Sequence, residues 1–183
     1  NYHRWQQLGS DYAQYEYFLG IGFRPWCDVN AFDIRAEMDM GVNTMIFEGS
    51  GTKADRMEYW VLCRQLMFPD SDPMQLRKYY IRRAYREAAP DMEKFYFKLQ
   101  ASYYSDPIRV EFEDSDQRMA YWAAWTKSTD GKTLADELTG HLDDALKNVR
   151  HPVAKLYVDE LRNEWLAYLE KAKASLEKAG LKQ

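Results

Sequence analysis

Cysteine is scarce in this 183-residue chain, and long apolar runs and a basic excess are absent. The two cysteines, Cys27 and Cys63, form no CxxC pair, so the sequence predicts neither a zinc site nor a disulfide framework. No apolar run approaches the roughly 18 residues of a bilayer span, so we expect no membrane-spanning segment. A net charge of −4 lacks the basic excess typical of nucleic-acid-binding domains, so we expect no nucleic-acid partner. No charged-then-apolar leader opens the chain, so we expect that any export signal was removed or never present.

The composition favours a folded domain. Apolar residues make up 46% of the chain, which is enough for a core, but a complete TIM barrel usually needs about 250 residues. Aromatic residues make up 15%, and such a surplus suits both sugar binding and ordinary core packing.

The first 52 residues carry the pattern of a βαβ unit. Apolar and aromatic residues predict strands over 14–21 and 42–47, with a helix over about 30–40 between them. Such strands are parallel and joined by a right-handed crossover. Two strands alone leave unpaired edges, so we expect further strands upstream or in another copy of the chain.

Everything after residue 53 has helical periodicity or helix signals, except a short alternating piece near 108–112. In the helix opened by Asp72-Pro73, the predicted apolar stripe is Leu76, Tyr80 and Ala84. Asp130-Gly131 predicts a turn, Thr133 with Asp136 and Glu137 resembles a capping box, and Pro152 and Gly180 predict the start and the stop of the last helix. We expect the helix over about 55–68 to be buried on nearly all sides. Aromatic residues at helical spacing in the later helices favour core packing, and they are Tyr79, Tyr80, Tyr96, Trp122, Trp125 and Trp165. The predicted fold is therefore mainly α with a short βαβ start. Residues 1–52 would be the terminal part of a TIM-type α/β barrel and residues 53–183 a C-terminal helical bundle.

Candidate binding residues follow the two predicted strands. Loops after parallel strands leave the sheet at one edge, where ligands bind. We expect Arg24, Trp26 and Asp28 after the first strand to meet Glu48 at the end of the second. Trp26 and Tyr17 have rings suited to packing against a sugar, and Glu48 could hold sugar hydroxyls or act as an acid or base. The alternatives are that Glu48 forms a salt bridge with Arg24 or caps a following amide, and that the two rings pack in a core.

Motifs for other chemistry are missing. No GxxxxGK[ST], HExxH or GxSxG pattern occurs, and Asp70-Ser71-Asp72 lacks the rest of a calcium loop. We therefore expect no metal and no cofactor.

Three segments together resemble a family of bacterial proteins of unknown function whose members look like glycoside hydrolases. They are Gly41–Gly49, ending in Phe47-Glu48-Gly49, then Leu66–Asp72, and the run from Tyr79-Tyr80 through Ala88–Met92 to Tyr96. The resemblance covers about residues 14–104. Arg86 and Glu87 depart from it, since Tyr-Gly is typical there, and we expect the helix to continue through them rather than turn.

The resemblance implies a TIM barrel upstream, similar to α-glucuronidase and hexosaminidase barrels, and a periplasmic or extracellular setting. It implies that this chain is the C-terminal portion of a glycoside hydrolase and contributes substrate-binding loops and helical support. The main catalytic carboxylates would lie on absent strands, so the catalytic residues are not assigned and the fragment alone is expected to be inactive. The alternative is a noncatalytic helical interaction or carbohydrate-binding module.

Overall fold

A computed structural model describes residues 7, 12–16, 23, 27–47, 52–105, 124–126, 128–129, 131–178 and 180. The chain divides into two compact units. The first comprises Asn1–Gly20 and Trp26–Tyr80, and the second comprises Ile21–Pro25 and Ile81–Gln183.

The first unit begins with the predicted βαβ segment. Strand β1 covers Tyr12–Glu16, helix α1 covers Cys27–Asp39 and strand β2 covers Val42–Phe47. The two strands are parallel, as predicted, and the register brings Glu16 opposite Phe47 at their carboxyl ends. Strand β2 has its predicted bounds, whereas β1 begins two residues early and α1 begins three residues early. Gly41, at φ +89°, supplies the left-handed residue that ends α1 and lets the chain turn into β2.

Helix α2, Arg56–Met67, follows β2 and contacts α1. The prediction that α2 is buried on nearly all sides is wrong, because one face is exposed. Its buried face is continuous and also contains polar residues; it consists of Met57, Glu58, Val61, Leu62 and Gln65. On the opposite face, Tyr59 and Met67 are exposed. The apolar residues on this outer face hid the amphipathic pattern in the sequence.

Helix α3, Pro73–Tyr85, begins where Asp72 caps it by accepting hydrogen bonds from the backbone N–H groups of Met74 and Gln75. The helix then breaks. Arg86 has φ +52°, the left-handed region that suits glycine, and a single 3-10 turn over Arg86–Ala88 follows. The expectation that the helix continues here is therefore wrong. Helix α4, Ala89–Ser105, starts after this turn.

The second unit is built on α4 and two further helices. Helix α5, Leu134–Asn148, contacts both α4 and helix α6, Pro152–Lys178. Its start is fixed by the predicted capping box, in which Thr133 and Asp136 satisfy each other's backbone N–H groups. Gly180, at φ +74°, follows α6 as the predicted stop.

A short hairpin precedes α5. Strands β3, Ser128–Thr129, and β4, Lys132–Thr133, pair in antiparallel fashion across Gly131, which has φ +81°. The Asp130-Gly131 signal predicted this turn but not the strands, because two-residue strands are too short to show alternation.

Aromatic rings fill the core of the second unit. Trp165 on α6 is fully buried, and its ring meets those of Phe23, Phe95 and Trp125 at centroid distances of 4.9, 5.7 and 5.0 Å. The indole N–H of Trp165 donates to the Thr139 hydroxyl at 2.9 Å, so the ring is buried without losing its hydrogen bond. The core interpretation is confirmed for Trp165, Trp125 and Tyr96, all of which are buried.

The core interpretation is wrong for Tyr79, which is 55% exposed. The fully or nearly fully buried face of α3 runs through Arg77, Ile81 and Tyr85, one position beyond the predicted stripe of Leu76, Tyr80 and Ala84. Trp122 lies outside the described residues.

The described residues are thus mainly helical with a short βαβ start. The assignment of residues 1–52 to a barrel and of 53–183 to a helical bundle stays a prediction. Within the described residues, no helix combines the length and the apolar character that a membrane span requires.

Candidate functional site

The predicted binding residues mostly fall outside the described part of the chain. This applies to Tyr17, Arg24, Trp26 and Glu48, whereas Asp28 lies in the first turn of α1 rather than in the predicted loop. The described strands end at Glu16 and Phe47, which are paired with each other, and the next residues in sequence are Tyr17 and Glu48. Their convergence on one site stays a prediction.

A buried ion pair lies at the centre of the first unit. The guanidinium Nη2 of Arg77 lies 3.1 Å from the Glu58 carboxylate, and both side chains are almost completely removed from solvent. Burying two charges costs several kcal/mol per ion, about what their attraction returns, so the pair is sensitive to loss of either partner. Sequence reasoning missed both residues because arginine and glutamate in helices usually face solvent.

The start of α2 carries a second buried carboxylate. Asp55, 4% exposed, accepts a hydrogen bond from the Thr52 hydroxyl at 2.5 Å. Thr52 and Asp55 come a few residues after the carboxyl end of β2, and their hydrogen bond is a local contact at the start of α2.

The exposed face of the first unit carries a row of rings and one cation, which we call the aromatic strip and define as Trp60, Arg64, Phe68 and Tyr79. Trp60 stacks on Tyr79 with centroids 5.8 Å apart and planes within 16°. The guanidinium carbon of Arg64 lies 5.8 Å from the centroid of Trp60 and 4.9 Å from that of Phe68. Phe68 is 50% exposed, and Arg64 is also exposed.

The sequence signal for this strip is the spacing of Trp60, Arg64 and Phe68. Residues four apart lie on one face of a helix, so an aromatic residue and a cation follow one another along α2, and a second aromatic residue directly follows its end. Because the sequence predicts a helix that is buried on nearly all sides, this spacing does not mark a surface.

A groove of about 470 Å³ lies between α5 and α6 in the second unit. Its carboxylates already have partners: Asp136 bonds to Thr133, Asp143 pairs with Arg162 at 2.6 Å, and Glu170 lies 3.8 Å from Lys173. Each charged side chain among the described lining residues of the groove therefore already has a polar or ionic partner.

The Glu87 side chain binds the backbone directly before the start of α6. Its carboxylate accepts hydrogen bonds from the backbone N–H groups of Arg150 and His151 at 3.1 and 3.2 Å. The bond from Arg150 has the largest effect, and both bonds lower the pKa of Glu87 because they favour the charged carboxylate. The interaction is a helix-start contact rather than a site for chemistry.

No cluster of three or more potential metal ligands occurs among the described residues. Comparison with known proteins found no matching family model, no matching curated protein and no matching solved structure.

Proposed function

We propose that this chain is the C-terminal portion of a carbohydrate-active α/β-barrel protein, with β1 and β2 as its last strands. The observation that carries the proposal is the parallel pairing of β1 with β2 through the intervening helix α1. Parallel sheets are normally covered on both faces and rarely stop at two strands. Within the described residues β1 pairs only with β2, and Ile46 of β2 is 53% exposed. The remaining strands would come from upstream sequence or from another copy of the chain.

The saccharide site in this proposal lies at the carboxyl edge of the sheet. Glu48 would accept hydrogen bonds from sugar hydroxyls, Trp26 and Tyr17 would pack against sugar rings, and Asp28 would bind further hydroxyls. Arg24, in the same predicted loop as Trp26, would pair with an acidic group of the ligand or of the site. The helices would support this edge.

The reaction class is glycoside hydrolysis by the full-length protein, in a periplasmic or extracellular setting. Hydrolysis of this kind normally uses a pair of carboxylic residues, and their separation decides between retention and inversion. Glu48 directly follows β2 in the sequence and precedes a glycine, and the second carboxylate would come from an upstream strand.

Turnover of aryl glycosides by the full-length protein tests the proposal. Glu48→Gln keeps the size of the side chain and removes its charge, so we expect turnover to fall by at least about tenfold, because a hydrogen bond to a charged group contributes about 1.5–3 kcal/mol. Glu177→Gln, an exposed glutamate on α6, is the matched control. Wild-type rates for Glu48→Gln would remove this residue from the site.

The second candidate function is a noncatalytic helical interaction or carbohydrate-binding module. The exposed apolar pair Val153 and Leu156, one turn apart on α6, favours it because such a pair suits contact with another protein. Absence of barrel-like strands in the upstream sequence, together with full activity of Glu48→Gln, would favour this module.

A further inference from the structure

We propose that the aromatic strip of the first unit is a second saccharide-binding surface, one that takes a chain carrying carboxylate groups. The inference rests on the proposed function only in taking carbohydrate as the ligand. The surface uses α2 and α3 and none of the residues assigned to the carboxyl edge of the sheet.

The rings of the strip are held in place before any ligand arrives. Trp60 and Tyr79 come from two helices and stack nearly parallel, and Trp60 also meets the ring of Tyr80 at 5.6 Å. Aromatic side chains have few rotatable bonds, so this packing leaves little conformational entropy to be lost on binding. Tyr79 and Phe68 are half exposed or more, so ring surface is available for the C–H faces of sugars.

The positive charge of Arg64 favours a ligand that carries carboxylate groups. Across the described residues, Arg35, Arg77, Arg82 and Arg162 each pair with a carboxylate, whereas Arg64 contacts two rings and has no carboxylate partner. A guanidinium held over rings keeps its N–H groups for a ligand, and its planar fork matches a carboxylate in a bidentate way.

The strip has the length for a short oligosaccharide. Trp60 and Arg64 lie on successive turns of α2, and Phe68 directly follows the helix. Because the Arg64 guanidinium carbon lies 5.8 Å from the centroid of Trp60 and 4.9 Å from that of Phe68, these two centroids are less than about 11 Å apart. The ligand that suits this arrangement is a chain whose sugar rings lie on the exposed rings of Tyr79 and Phe68 and whose carboxylate reaches Arg64. The net charge of −4 disfavours unspecific attraction to a polyanion, so such binding requires a local site.

Affinity electrophoresis of the 183-residue chain tests this directly. Native gels would contain polygalacturonate as the carboxylated polymer or hydroxyethyl cellulose as the neutral one. We expect retardation in the polygalacturonate gel, weakened roughly tenfold in Kd by Arg64→Gln because one charge-assisted contact is lost. Phe68→Ala should also weaken retardation, and both substitutions are at exposed positions, so circular dichroism should show an unchanged fold.

Lys155→Gln is the matched control, since it removes an exposed cation from α6. Retardation of Arg64→Gln equal to that of the unaltered chain overturns the proposal. Equal weakening by Lys155→Gln overturns it too, since the attraction would then follow total charge, and so does equal retardation in the neutral gel.

Turnover by Glu48→Gln of the full-length protein, measured alongside the gels, separates this proposal from the proposed function. Loss of aryl glycoside turnover on Glu48→Gln with unchanged retardation of Arg64→Gln would leave the hydrolase proposal standing and reject the strip. Weaker retardation of Arg64→Gln with full turnover by Glu48→Gln would do the reverse.

Discussion

Six large apolar side chains stay exposed in the first unit, whereas in the second unit only Val153 and Leu156 do among the described residues. Those of the first unit are Phe32, Ile46, Tyr59, Met67, Phe68 and Tyr79. Among its described residues, the second unit packs α4, α5 and α6 around buried aromatic rings. The first unit has a two-stranded sheet and an ion pair in its interior, and it leaves apolar surface for other molecules or other parts of a larger protein. Candidate binding surfaces therefore belong with the first unit.

The largest expected effect tests the closed core of the second unit. Trp165→Ala removes a fully buried indole from contact with three aromatic rings and should lower the free energy of unfolding by about 3–5 kcal/mol. Urea denaturation followed by circular dichroism measures this loss. Leu156→Ala, at a half-exposed position on the same helix, should cost far less. Similar losses for the two variants would contradict a core of the second unit that is closed around Trp165.

The next effect tests the polar interior of the first unit. Arg77→Met leaves the Glu58 carboxylate buried without its guanidinium partner and should cost about 3 kcal/mol of unfolding free energy. The double substitution Glu58→Leu with Arg77→Met removes both charges and should recover most of that loss. Denaturant titration of the two single variants and the double variant gives the coupling energy. A double variant no more stable than Arg77→Met would show that the pair is not the cause.

The smallest effect concerns the break between α3 and α4. Arg86→Gly should raise the stability of the protein by about 0.5–1 kcal/mol, because the left-handed backbone costs L-residues about 1–2 kcal/mol and the flexibility of glycine offsets part of the gain. Arg86→Ala keeps the Cβ atom and should leave the melting temperature nearly unchanged. If thermal unfolding shows no advantage of glycine over alanine, backbone strain at this position is not significant.

Local chemistry made several elements predictable. Strand β2 has its predicted bounds because five of the six residues between Gly41 and the glycine-rich segment that starts at Glu48 are apolar or β-branched. Thr133 with Asp136 and Pro152 marked the starts of α5 and α6 for the same reason, since caps and prolines act through neighbouring backbone groups. Of the candidate site, the sequence predicted residues at the carboxyl edge, which lie largely outside the described residues.

The solvent exposure of individual aromatic side chains could not be predicted from local sequence. Tyr79 and Tyr80 are adjacent aromatic residues in one helix, yet Tyr79 is more than half exposed and Tyr80 is only partly so. The aromatic strip could not be predicted from the sequence because a ring in a helix has the same local sequence pattern whether it faces a core or the solvent.

The sequence by itself determined the bounds of β2, the starts of α5 and α6 and the parallel direction of β1 and β2, because turns, caps and crossover connections depend on residues close together in the chain. The tertiary structure alone decided that Arg77 is buried against Glu58, that Arg86 adopts a left-handed backbone, and that Trp60, Arg64, Phe68 and Tyr79 share a surface. Those outcomes depend on which side chains from distant segments compete for the same interior space, and that competition is resolved only when the helices pack.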